Sequence, residues 1–415
     1  MFVKIANNIG RIPTFYLLLT ILFIGFILRT ASWFYVGPQL LGDHNDYSQL
    51  SIYIVQGNWN EYFSAGRFYQ PVYVLLLTPT YLFNLPQEAY IFFLHHLLSI
   101  STIYIVYLTA KRIFGVYYGL ISAFFISINV MIIYWFSWVY ADISFHFFLA
   151  LLGLTAMNLF KDKKPINYAF FFFSGCLCML TRPEGLFVFF IAILTLIYIH
   201  LAQKLPIRKA LFIIAGIIFF LSSLLVSTLV FHKKSQEVFF SQMNISLALY
   251  VSSKISTNSP EEQYQTYGID RAEDWLKGRK QPDYVSDNYI LSMHGLNFIK
   301  EHPFTWLKMY VSRFASNIFP SVFSPFWSIE HRIYNFSMAF ILVIGSTMAL
   351  FFRDSRRFLA LTLVLMAFTL ALSISLFQRE IDYRVPLSMF ILFAMVAPYG
   401  WFKFYTYLTE RYAHN

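Results

Sequence analysis

The sequence predicts an all-α polytopic membrane protein, and three observations carry that prediction. Hydrophobic residues make up 58% of the 415-residue chain and charged ones 13%, against about 45–50% and about 25% in soluble domains. Apolar runs of spanning length recur along the chain. The basic residues behind the formal net charge of +10 fall in short clusters between those runs. That is the pattern of cytoplasmic membrane loops rather than of a nucleic-acid-binding face.

Spanning helices are expected at roughly 12–34, 89–110, 116–134, 142–160, 166–181, 184–202, 208–231, 333–352, 358–376 and 385–408, about ten within a range of nine to thirteen. The first run follows Lys4 and Arg11 and continues past Arg29 to Tyr35 with no small-x-small cleavage pattern. It therefore reads as a retained helix rather than a leader peptide. Residues 72–84 are too short to span, and residues 304–327 carry Lys308, Arg313, Pro320 and Pro325; both are expected at the outer interface or as re-entrant segments. With neither spanning and the N-terminus inside, Lys4/Arg11, Lys111/Arg112, Lys161/Lys163/Lys164, Lys204/Arg208/Lys209, Arg353/Arg356/Arg357 and Lys403/Arg411 all face the cytoplasm. A spanning 72–84 would invert the loops that follow.

This topology divides the chain into an N-terminal transmembrane module, 1–231, with a first external loop at 35–88, an external segment at 232–332, and C-terminal transmembrane helices at 333–415. In the external segment Phe304, Leu307, Val311 and Phe314 form a stripe at helical spacing with Pro303 in the first turn. It suits a helix lying along the outer leaflet or an ordinary packed helix. Cys176 and Cys178, two apart, point to different helix faces and suggest neither a disulfide nor a metal pair.

Ionisable residues from separate parts of the chain converge at the outer surface: Asp43, Asp46, Asp142, Arg182, Glu184, Arg379, Glu380, Asp382 and Arg384. Charges at a membrane boundary need hydration or partners, which makes them functional candidates. Each has a structural alternative. Asp43 and Asp46 could cap a helix starting near Ser48, and Asp142 could cap the helix it opens. His146, four residues on, could orient Asp142 or simply pack. Arg182 could pair with Glu184, and His95 and His96 read as packing or locally hydrogen-bonded residues rather than a metal site. No HExxH, P-loop, GxGxxG or GxSxG motif is present. From composition alone, a multi-helix lipid or solute transporter or flippase of the cell envelope accounts for the helices equally well.

Six segments in order narrow the reading. Asp43, Tyr47, Ser51 and Gly57 are spaced in the first loop, followed by "YQPVYVLLLTPTYLF"; then come "YIVYLTAKRIFGVYYGLISAFF", "FSWVYADISFHFFLALLGL", "FSGCLCMLTRPEGLFVFF", "FIKEHPFTWLKMYVSRF" and "REIDYRVPLSMFILFAM". Together they resemble the C-type (GT-C) glycosyltransferases, specifically the protein O-mannosyltransferase and aminoarabinose-transferase branch. Two departures stand out. Tyr69-Gln70 precede Pro71 where the aminoarabinose branch has Glu-Lys, and His44 stands where many relatives carry an acid. The resemblance implies inverting transfer of a sugar from a polyprenyl-phosphate donor to a hydroxyl of a glycan, lipid or protein, on the non-cytoplasmic face of what would be a bacterial inner membrane. It makes Asp43 the base, with Asp46 as alternative. Asp142, Tyr47 and His146 would lie on the substrate, and Arg182 with Arg379 or Arg384 on the donor phosphate. No cofactor is implied with certainty; the residues give no support to a divalent metal.

Overall fold

The computed structural model describes residues 13–39, 43–64, 71–182, 184–202, 210–219, 329–352, 354, 356–377 and 387–413, with Lys300, Pro303, Phe304, Leu307, Tyr310, Val311, Phe314 and Ile318 besides. The N-terminal basic pair, most of 232–332, and Arg379, Glu380, Asp382 and Arg384 lie outside the described residues, as does the side chain of Asp43.

The chain is an all-α integral membrane protein. Its helices are α1 (Thr14–Val36), α2 (Asp43–Val55), α3 (Trp59–Ser64), α4 (Pro71–Leu82), α5 (Gln87–Phe114), α6 (Val116–Ser127), α7 (Val130–Trp135), α8 (Asp142–Lys161), α9 (Pro165–Thr181), α10 (Gly185–Ala202), α11 (Ile329–Ala349), α12 (Arg357–Phe377) and α13 (Leu387–Ala413). Among the described residues, four (α1, α5, α8 and α10) are long and apolar enough to cross a membrane by length and composition, with shorter apolar helices beside them. Among those residues the β-type pairing is a single parallel bridge between Gln39 and Trp138.

Local chemistry explains the element ends. α1 stops at Gly37 and α5 at Gly115, whose φ values of 75° and 114° suit glycine. Lys111 and Arg112 sit in the last turn of α5, where cations favour the negative helix end. α9 opens with Pro165 in its first turn, where a missing N–H costs nothing.

Two expectations are corrected. The helix expected over 116–134 is broken: α6 ends at Ser127, and α7 restarts at Val130 with the Asn129 side chain accepting from the Ile132 N–H at 3.1 Å. Asn129 is a good N-cap, and a capped restart outweighs the uniformly apolar pattern. The helix expected near Ser48 begins at Asp43 itself, so Asp46 lies within its first turn rather than ahead of it.

The break is closed by Arg29, which is fully buried in the bundle. Its Nη1 donates to Ser127 O (3.1 Å) and Gly25 O (3.1 Å), its Nη2 to Ile126 O (3.3 Å) and its Nε to Ser99 Oγ (2.5 Å). The last carbonyls of α6 have no intrahelical donors, and lipid offers none; the guanidinium supplies them.

α5 packs against α6 and α8, α8 against α9, α10 against α12, and α1 against α6. α2 and α4 lie against each other, joined by Ser51 Oγ donating to Val74 O at 3.0 Å. Lys111, Arg112 and Arg356 gather at one end, where Arg356 Nη1 donates to Phe114 O at 3.2 Å. In the 303–318 region Phe304, Leu307 and Val311 are exposed, whereas Phe314, the fourth residue of the stripe, packs against the core with its ring 6.4 Å from Phe368.

α11 and α13 touch backbone to backbone. A Cβ on Gly400 would lie 1.7 Å from Gly345 O, whereas one on Gly153 would meet the Met395 sulfur at 3.4 Å. Gly400→Ala should therefore lower stability by about 2 kcal/mol or more, the range for overpacking, while Gly153→Ala changes little. Thermal unfolding midpoints in one detergent compare the two.

Candidate functional site

The site builds on the segment 136–142, between α7 and α8. Gln39, just beyond α1, donates its N–H to Ser137 O (3.0 Å) and accepts from the Val139 N–H (3.4 Å). Ser32 Oγ also donates to Ile133 O at 2.9 Å. The pairing is parallel, so both chains leave it in the same direction. Asp43 stands four residues after Gln39 and opens α2; Asp142 stands four residues after Trp138 and opens α8. Each acid is thus within about 14 Å of chain from one hydrogen-bonded pair.

Asp142 is buried, and it does not cap its helix: the N-cap, Ala141, makes no side-chain capping bond. Its carboxylate accepts from Arg182 Nη1 in a short ion pair. Arg182, the C-cap of α9, also reaches both oxygens of Glu184 through Nε and Nη2, each at 3.4 Å. The tight α9–α10 hairpin makes this possible. A Cβ on Gly185 would lie 2.7 Å from the Cys178 carbonyl, and Gly185 N donates to Arg182 O at 3.0 Å. One guanidinium therefore serves two carboxylates, and the cluster carries a formal charge of −1. Charge-based topology anticipated that these residues share one end of the bundle. Glu184 belongs with them, as the possible Arg182 pairing had hinted.

His146 sits one turn below Asp142 on α8, buried, with an Nε2 that has no hydrogen-bond partner. Tyr47 is buried against the Tyr73 ring, edge on at 5.0 Å. Asp46 is half-buried on the first turn of α2.

Three further residues, His95, Tyr73 and His44, were not among the expected site residues. His95 Nδ1 donates to Phe136 O (2.9 Å), which leaves Nε2 to accept the Tyr73 hydroxyl proton (3.0 Å). Tyr73 lies within electrostatic reach of Asp142. His44 is buried beside Asp43, and its Nε2 accepts from the Gln87 amide at 2.9 Å. Sequence signals for these pairs are slight, because each joins helices far apart along the chain. Among the described residues no group of three or more metal-ligating side chains assembles.

Arg182→Met leaves two buried carboxylates without a counter-charge and should cost about 3 kcal/mol or more. Adding Asp142→Asn to Arg182→Met should recover part of that loss in detergent thermal melts. Burial holds the His44 imidazole below its ordinary range. The unfolded chain then takes up a proton that the folded protein resists. This contribution to stability is full above about pH 6.5 and is lost as pH falls below it. Melts between pH 7.5 and 5 should slope less in His44→Asn than in the parent.

No protein-family description and no curated protein matches the sequence. Two solved structures of an archaeal oligosaccharyltransferase from Archaeoglobus fulgidus do match in fold. One, AglB with an inhibitory peptide and a dolichol-phosphate, aligns with 96% of this chain at 15% identity and a TM-score of 0.50. The other, a complex with Zn and sulfate, aligns with 92% at 13% identity and a TM-score of 0.53. This chain covers 52% and 48% of those proteins, about half their length. At this identity the likeness concerns fold alone: nearly the whole chain shares the fold of about half of an archaeal oligosaccharyltransferase.

Proposed function

We propose that the chain is a membrane glycosyltransferase of the GT-C type, moving a sugar from a polyprenyl-phosphate donor to a hydroxyl of a glycan, lipid or protein. Transfer inverts the anomeric centre and takes place on the non-cytoplasmic face of a bacterial inner membrane. The O-mannosyltransferase branch suits the motifs better than the aminoarabinose branch, because Tyr69-Gln70 replace Glu-Lys. A neighbour in fold that holds a dolichol-phosphate and a peptide lends support to a lipid-phosphate donor.

The observation that carries the reading is the parallel Gln39–Trp138 pairing, which starts the Asp43 and Asp142 helices from one place. In the reaction the acceptor oxygen attacks the anomeric carbon and its proton passes to the Asp43 carboxylate. The carbon–oxygen bond to the lipid phosphate breaks, and the phosphate leaves with the electron pair. Asp46 is the alternative base. Asp142, aimed by Arg182, accepts hydrogen bonds from hydroxyls of the reacting sugars, with His146 behind it. Tyr47 holds the α2 face against Tyr73. Arg182 is engaged by two carboxylates, so we assign most of the donor phosphate to Arg379 or Arg384, whose forked donors suit it.

A second reading, a lipid or solute transporter, draws on the interrupted α6–α7 helix with a buried arginine at its break, since transporters use such discontinuities. Purified protein in proteoliposomes separates the two. The transferase reading expects sugar transfer from a polyprenyl-phosphate sugar, reduced at least about 10²-fold by Asp43→Asn and also by Asp142→Asn, in variants that melt normally. Near-normal turnover in Asp43→Asn would pass the base role to Asp46. Lipid or solute movement across the bilayer without transfer would favour the transporter.

A further inference from the structure

Four aromatic side chains between Tyr134 and Tyr140 form one cluster centred on Trp138. The Trp138 ring lies 5.0 Å from Trp135, 6.5 Å from Tyr134 and 5.8 Å from Tyr140, the last offset-stacked at an interplanar angle of 10°. The cluster ends two residues before Asp142, on the segment tied to Gln39. All four rings are half-buried. An interfacial aromatic belt would place rings against lipid and keep the indole N–H among headgroups and water. Phe34 and Tyr35, 78% and 93% exposed at the end of α1, fit that description. Trp138 does not: its Nε1 is shielded from solvent and has no hydrogen-bond partner. A shielded donor at the edge of a flat aromatic platform lacks an acceptor, and an unsatisfied buried donor is costly.

We propose that Trp138, with Tyr140 stacked beside it, forms the subsite for the sugar ring carried by the lipid donor. A pyranose or furanose has an apolar C–H face and a rim of hydroxyls. The face lies on the aromatic platform, and a hydroxyl oxygen accepts from Trp138 Nε1. That arrangement sets the sugar on residues four and two positions before Asp142. The inference rests on the glycosyltransferase reading for the identity of its ligand, and its test reads binding rather than transfer.

The full-length protein in detergent is titrated by calorimetry with a short-chain polyprenyl phosphate, and with that lipid bearing mannose, glucose, galactose or arabinose. At least one sugar-bearing lipid is expected to bind more tightly than the bare phosphate. Trp138→Ala should weaken that lipid by about tenfold, worth about 1.4 kcal/mol, and leave the bare phosphate unchanged. Trp138→Phe, which keeps a ring but loses the N–H, should fall between. Equal affinity for bare and sugar-bearing lipids across the panel overturns the subsite, and so does a sugar-dependent gain that survives in Trp138→Ala. If Trp138→Ala does not fold, Tyr140→Leu carries the same comparison. A sugar-dependent gain in a protein that transfers no sugar leaves the subsite standing and removes the transferase reading.

Discussion

The buried guanidinium of Arg29 is the constraint on which the rest of the structure turns. It ties α1 to α5 through Ser99 and to the end of α6 through Ile126 and Ser127. Without those donors α6 could not stop inside the bundle, because its terminal carbonyls would face an apolar interior. Because it stops, the chain restarts at Asn129, runs through the aromatic cluster and reaches Asp142. An arginine buried in the bundle thereby determines where the chain delivers the Asp142 carboxylate.

The electrostatics around Asp142 follow a different logic. A lone carboxylate with so little solvent would resist ionisation, and a lone arginine beside it would attract any anion. Sharing Arg182 between Asp142 and Glu184 satisfies both carboxylates and leaves the cluster net negative. That sign suits a group that accepts hydrogen bonds from sugar hydroxyls and repels a phosphate. In the proposed reaction the donor phosphate therefore falls to cations other than Arg182.

Much of this was legible because membranes make polarity expensive. Apolar runs gave the helices, and basic clusters oriented them well enough to bring Asp142, Arg182 and Glu184 to one end. The broken helix was not legible. Residues 116–134 look uniformly apolar apart from Asn129, and the arginine that makes the break tolerable is about a hundred residues earlier. Arg29 itself was visible as a charge inside an apolar run, a signal worth heeding. The Tyr73–His95 pair could not be foreseen, since its reason is the Phe136 carbonyl exposed by the turn after α7. Asp142 looked like a helix cap because acids favour that position. Its partner lay across a hairpin, and an ion pair there outweighs a cap.

The two hydrogen bonds of Gln39 also have a mechanical consequence. They fasten the far end of α1 to the chain entering α8, so these two helices cannot tilt independently where the acids emerge. Helices commonly answer a thinner or thicker bilayer by changing tilt. Here such a change carries Gln39 and the 137–139 segment together, so the join that precedes both acid-bearing helices keeps its geometry when the surrounding lipid changes.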